Sequence, residues 1–198
     1  MDYKEAVEIY AKDPTAETLR ETLPGCERLF VCANLPYYIT SPVLMRLLES
    51  RLPVENITVM VQKEAAERMV AQPGEDGYGM LAVRAQYFYD PQIALDVPAC
   101  MFTPPPKVDS AFVVMPRREK PPVEVSDEAL FFKVAAAAFA MRRKTMENNL
   151  IASFRVPREQ AQSWLSQCGI PSGARGETLS LKDFAALSGV LTLPPHSA

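Results

Sequence analysis

An α/β domain followed by a small helical one is the architecture this sequence predicts, and three observations predict it. Two apolar runs, RLFVCA and NITVMVQ, carry β-rich residues on successive positions, the pattern of strands covered on both faces. Each run is followed by a helical pattern, so strand and helix alternate and the two strands should lie parallel in one sheet. After the proline- and charge-rich linker PRREKPPVEV the periodicity is helical only. The expected division is therefore 1–120 for the α/β part and 121–198 for the helical part.

In chain order, AVEIY is a short strand candidate, and Asp13-Pro14 suits an N-cap followed by the first position of a helix. RLFVCA is the first covered strand. Ser41-Pro42 starts a helix with Leu44, Leu47 and Leu48 on one face, and NITVMVQ and a helix from Lys63 to Ala71 follow. The segment from Met80 to Phe88 fits helix or strand, with helix favoured. QIALDV and VDSAFVVM read as strands, and the alternation of Val108, Ser110, Phe112 and Val114 suggests an antiparallel edge. Beyond the linker, Ser126 can cap a long helix reaching about Leu150. Pro157 begins another, with Ala161, Trp164, Leu165 and Cys168 at helical spacing and Gly169 at its end. Ser180-x-x-Asp183 resembles a capping box before a third, short helix.

Composition excludes several chemistries. The 198 residues are 48% apolar and 23% charged, enough to build a core without disulfide staples. Cys26, Cys32, Cys100 and Cys168 form no C-x-x-C pair, so they read as reduced and mostly buried thiols of a cytoplasmic protein. A single histidine, His196 in a proline-rich tail, leaves neither a zinc site nor a histidine triad. No apolar run approaches membrane-spanning length. The net charge of −3 hides an asymmetry: residues 116 to 158 hold nine Lys/Arg against five acids, whereas residues 1 to 30 hold four against seven. A basic stretch of this kind can grip RNA, and Arg117, Arg118 and the run Arg142, Arg143, Lys144 are its candidates. On a helix three successive residues cannot share one face, so only part of that run could grip a phosphate groove.

The most particular stretch is CANLPYYITSP. Asn34, Leu35, Pro36 and Tyr37 leave a parallel strand at its carboxyl end, where open α/β sheets bind ligands. An adenine arriving there has an exocyclic amine whose lone pair is delocalised into the ring. The Asn34 side-chain oxygen and a backbone carbonyl could each accept one N6–H hydrogen bond, freeing that lone pair toward an electrophile. Pro36 would hold the turn in one orientation, and Tyr37 would stack on the base, a contact worth roughly 1–3 kcal/mol. A strand ending in a proline turn with core tyrosines accounts for the same four residues.

ANLPYYITSPV, VQKEAAERM, YGMLAV, FTPPPKVDSAFV, AFAMRRKTMENNL and ETLSLKDFAAL, in that order, resemble the small-subunit (16S) rRNA adenine N6,N6-dimethyltransferase family. The resemblance implies a Rossmann-like, S-adenosylmethionine-dependent methyltransferase fold with a small all-helical C-terminal subdomain that binds RNA. It implies methylation of two adjacent adenosines of small-subunit rRNA in the immature 30S subunit by a cytoplasmic monomer. It makes Asn34, Leu35, Pro36 and Tyr37 the target-adenine site, with Asn34 also near the cofactor methyl group. Phe102 would face the base from the other side, Lys107 would meet RNA phosphate, and Asp13 would contact the cofactor. Gln62, Lys63 and Glu64 match a family element too, but read as an ordinary helix start.

The match also departs from the family. The strand, glycine-rich loop and helix of the cofactor site, and the acidic residue for the ribose, are not found, and Gly77-Tyr78-Gly79 lies in a polar loop. The chain is thus expected to begin just before the third strand of such a fold. The strand at 29 to 33 should then be an exposed edge, and the isolated chain should bind cofactor weakly or not at all. Two other functions remain compatible with the sequence: a non-catalytic rRNA-binding assembly module, and an erythromycin-resistance-type methylase of large-subunit rRNA.

Overall fold

The computed structural model describes residues 28–49, 52 and 54–191. The expected AVEIY strand and Asp13-Pro14 helix start lie outside them. The described chain forms β1 (Leu29–Asn34), α1 (Thr40–Glu49), β2 (Val54–Gln62), α2 (Lys63–Val70), α3 (Met80–Phe88), β3 (Gln92–Val97) and β4 (Ser110–Pro116). Four helices follow: α4 (Glu128–Ala140), α5 (Met146–Phe154), α6 (Arg158–Gln167) and α7 (Leu181–Val190). Short 3-10 turns occupy Tyr37–Ile39, Ala99–Met101 and Gly176–Thr178. Contacts divide the chain into two units, residues up to 70 with 84–120, and residues 71–83 with 121 onward.

In the first unit the strand order is β1-β2-β4-β3, with β1 and β2 parallel and β4 antiparallel to both of its neighbours. The core lies under β2 and β4. Val54, Ile57, Val59 and Val61 of β2 and Ala111, Val113 and Met115 of β4 are buried, as are Leu44 and Leu48 of α1. The antiparallel strand expected at an edge is therefore central, and β3 takes the edge instead. Alternation shows that a strand has two unlike faces, but not whether both of its sides are paired. The side of β4 that is buried most completely is Ala111, Val113 and Met115, opposite in parity to the expected one.

Among the described residues β1 pairs only with β2 and lies at one end of the sheet. It is not covered on both faces: Phe30, Cys32 and Asn34 are exposed and the others half-buried. The thiols of Cys32, Cys100 and Cys168 are free, but Cys32 and Cys100 are exposed rather than buried. Cys32 lies on the open face of that edge strand, and Cys100 lies in the 3-10 turn after β3.

In the second unit the expected long helix is two helices. Asp127, not Ser126, caps α4 by accepting from the Leu130 amide at 2.9 Å. The chain then turns over residues 141–145, and Thr145 caps α5 by accepting from the Asn148 amide. The break has a tertiary cause as well, because Thr145 forms an isolated β-bridge with Arg175 and the Met146 amide donates to the Ala174 carbonyl at 2.7 Å. Ala161, Trp164 and Leu165 of α6 are buried as their spacing predicts, and Gly169 follows with φ 67°. Ser180 and Asp183 form both arms of a capping box on α7, the kind of cap that contributes about 1 kcal/mol.

Two close contacts tie the unit together. Gly176 packs on the α4 backbone at Ala138. The Tyr78 hydroxyl donates to the Leu179 carbonyl at 3.0 Å, and its ring stands edge-on to Phe139 at 5.8 Å. Burial raises the pKa of Tyr78 well above the ordinary phenol value. Loop 71–83 thus belongs with the helices.

Candidate functional site

The register of the sheet brings most of the candidate residues to one edge. Asn34 at the end of β1 pairs with Met60 near the end of β2, and Gln62 at that end pairs with Ser110 at the start of β4. Val97 at the end of β3 also pairs with Ser110. Loop 98–109, which carries Phe102 and Lys107, therefore connects strands at the same edge as the Asn34–Tyr37 turn. The carboxyl ends of the two parallel strands open there, as they do at ligand crevices in α/β sheets generally.

Within the turn the backbone is closely fixed. The Leu35 amide donates to the Met60 carbonyl at 3.0 Å, which continues the β1–β2 ladder one residue past the strand. Pro36 has φ −59° and ψ 134° and sets up the 3-10 turn behind it. Its carbonyl accepts from the Ile39 amide at 3.1 Å and from the Thr40 hydroxyl at 3.1 Å. Neither the Asn34 carboxamide nor the Leu35 carbonyl takes a hydrogen bond among the described residues. The turn therefore leaves the Asn34 side-chain oxygen and the Leu35 carbonyl available as acceptors, whereas the Pro36 carbonyl is committed.

Tyr37 is half-buried and shares a 2.7 Å hydrogen bond with the hydroxyl of Ser110, which is wholly buried. Tyr38 beside it is 85% exposed. Phe102 is half-buried and follows the 3-10 turn at Ala99–Met101, its amide donating to the Ala99 carbonyl. Asp109 braces this loop by accepting from the Ala99 amide at 2.9 Å, and the bond between Thr103 and Pro104 is cis. Lys107 is exposed, without an ion partner among the described residues. It lines a mixed-charge pocket of about 390 Å³ with Gln62, Lys63, Glu64, Glu67 and Asp109.

Lys63 has structural work at the helix start. Its amide donates to the Asp109 carbonyl and its ammonium pairs with Asp96 at 3.1 Å, which raises the lysine's pKa. Arg117 and Arg118, taken as RNA candidates from their charge, are also structural. Arg117 donates to the Leu52 carbonyl, while Arg118 donates to the Gln86 and Tyr89 carbonyls and pairs with Asp90 at 2.7 Å. By contrast Arg142, Arg143 and Lys144 of the second unit are exposed and unpaired among the described residues. They occupy the turn between α4 and α5 rather than a helix, so the restriction that a helix places on successive residues does not apply.

Asp13 lies outside the described residues. No group of His, Cys, Asp or Glu among the described residues is placed to hold a metal ion, and no described helix is long and apolar enough to cross a membrane. Sequence reasoning missed Ser110 and the exposure of Tyr38. The signal for the first was a hydroxyl within an otherwise apolar strand; for the second it was the paired tyrosine.

This architecture is the Rossmann-like methyltransferase fold. A crystal structure of a dimethyladenosine transferase from Plasmodium falciparum matches with a TM-score of 0.63 at 24% identity, over 80% of this chain and 65% of that one. The 23S rRNA methyltransferase ErmE matches with a TM-score of 0.62 at 23% identity, over 88% and 76%. The chain belongs to the ribosomal RNA adenine dimethylase family, whose model covers residues 2–192. Among curated relatives, ribosomal RNA small subunit methyltransferase A of Geobacillus sp. (strain WCH70) is 44% identical over 176 residues, 87% of this chain and 60% of that protein. The protein of that description from Staphylococcus haemolyticus (strain JCSC1435) is 45% identical over 179 residues, 89% and 60%. The chain thus spans about three-fifths of the length of these relatives.

Proposed function

We propose that the complete protein is an rRNA adenine N6,N6-dimethyltransferase that uses S-adenosylmethionine and modifies two adjacent adenosines of small-subunit rRNA. The observation that carries this reading is the pair of free acceptors, Asn34 Oδ1 and the Leu35 carbonyl, on a braced turn at the carboxyl edge of the sheet. Two acceptors match the two hydrogens of an adenine N6 amine. Accepting both pulls the nitrogen from planar toward tetrahedral geometry, which is how the turn would make a poor nucleophile reactive. Tyr37 supplies a ring for the base, and Phe102 arrives on the loop at the same edge.

The cofactor would provide the electrophilic methyl group. Asn34 fits a position beside it, since its carboxamide is exposed and bonded to nothing else among the described residues; Asp13 is proposed as a second contact. The Arg142–Lys144 turn and Lys107 would bind RNA phosphate, and the helical unit at 121–198 would serve mainly for that binding. Relatives named for the small subunit, at 44% and 45% identity, favour that rRNA in the immature 30S particle. A cytoplasmic monomer is the corresponding proposal for location and assembly.

The test is transfer of labelled methyl from S-adenosylmethionine by the complete protein to undermethylated 30S particles and to 23S rRNA. Dimethyladenosine at adjacent positions of the small-subunit RNA is expected. Label confined to 23S rRNA would move the assignment to the large-subunit type, and no label in either would refute it.

A further inference from the structure

We infer that Ser110 is a positioning residue for the target-base site, acting through the hydroxyl of Tyr37. The inference rests on the target-adenine reading of the Asn34–Tyr37 turn. Tyr37 belongs to the turn after β1 and Ser110 opens β4, with β2 between those strands in the sheet. Their 2.7 Å hydrogen bond therefore ties the mobile end of the turn's aromatic side chain to the centre of the sheet. Ser110 is suited to this role because it is 0% exposed and its backbone is held in register with both Gln62 and Val97. Its hydroxyl cannot exchange Tyr37 for bulk water, so the bond holds the ring rather than following it.

A half-buried tyrosine linked by two rotatable bonds could otherwise swing away from the sheet edge. With the hydroxyl fixed at one end and the backbone at the other, the ring keeps one plane and one depth. A flipped base must stack on a face that is already placed, and preorganisation of that kind lowers the cost of binding it. The same bond explains why tyrosine rather than phenylalanine fits the position: phenylalanine supplies the stacking face without the tether. Neither hydroxyl needs to touch the base, and neither is asked to move a proton.

The experiment uses the complete protein and a small-subunit rRNA hairpin with 2-aminopurine in place of one target adenosine. Stacking on Tyr37 quenches its fluorescence, while total RNA affinity is measured separately by filter binding. Ser110→Ala and Tyr37→Phe should each shift the stacking equilibrium about fivefold toward the unstacked base, the order expected for one lost hydrogen bond. Their combination should be no worse than either alone. Ser110→Thr, which keeps the hydroxyl, should restore quenching, and RNA affinity should fall by no more than the stacking equilibrium does, about fivefold at most, because the rest of the affinity is spread over phosphate contacts. If Tyr37→Ala loses quenching but Ser110→Ala and Tyr37→Phe keep it, the ring stacks without its tether and the role of Ser110 is wrong, while the target-base reading stands. If Tyr37→Ala itself keeps full quenching, or the unaltered protein shows none, both fall together.

Discussion

Replacing Asn34 by alanine would separate chemistry from folding and from binding, because the structure gives its side chain no other work. The carboxamide is exposed at the end of β1 and bonds to nothing among the described residues, so its loss should leave stability within about 0.5 kcal/mol. RNA affinity should also hold, since it depends on many phosphate contacts. The rate should not. Removing one preorganised hydrogen-bonding partner of a developing transition state costs about 10²–10³ in kcat. Some activity should survive, because the Leu35 carbonyl remains as the second acceptor and the Leu35 amide still anchors it to Met60. Single-turnover methylation of undermethylated 30S particles, measured beside filter binding and a thermal melt of the complete protein, distinguishes the three effects. A normal methylation rate would refute the reasoning, and so would a loss of rate matched by an equal loss of RNA affinity or of stability.

Two further perturbations test the helical unit. Arg142→Ala with Arg143→Ala should lower the slope of log K against log salt for RNA binding by about one to two, since each lost phosphate contact releases fewer counterions. An unchanged slope would mean that the turn between α4 and α5 faces away from RNA. Gly176→Ala would place a Cβ 2.6 Å from the carbonyl carbon of Ala138 and 2.8 Å from its Cβ, so α4 would have to move. A loss of about 1–3 kcal/mol in denaturant unfolding is expected, and a change below about 0.5 kcal/mol would show that the close approach is easily relaxed.

What the sequence made legible was local. The apolar runs located β1 and β2, the covered spacing of Ala161, Trp164 and Leu165 located α6, and Ser180 with Asp183 gave the cap of α7. The turn Asn34–Tyr37 could be singled out because a polar amide and a proline directly follow an apolar strand. What it concealed depends on partners far along the chain. Arg117 and Arg118 read as free cations until the fold supplies the carbonyls of Leu52, Gln86 and Tyr89. The break at 141–145 contains neither glycine nor proline, and comes instead from the Thr145 cap and its pairing with Arg175. Ser110 and Tyr37 are 73 positions apart, and no local pattern announces their contact.

The arrangement of the turn also bears on how a site of this composition could accelerate a reaction. Asn34, Leu35, Pro36 and Tyr37 offer no histidine, carboxylate or lysine to serve as a general base. An exocyclic amine needs no base beforehand, because it becomes acidic only once it has been alkylated. Rate must then come from placement, through acceptors that do not reorganise when the amine pyramidalises. The bonding around the turn has that character. The atoms flanking the two acceptors are committed: the Leu35 amide to Met60, the Pro36 carbonyl to Ile39 and Thr40, and the Tyr37 hydroxyl to Ser110. Asn34 Oδ1 and the Leu35 carbonyl are left over. Both acceptors thus sit on a turn held in place by its neighbours, and a substitution that loosens any of the committed contacts should act on rate before it acts on stability.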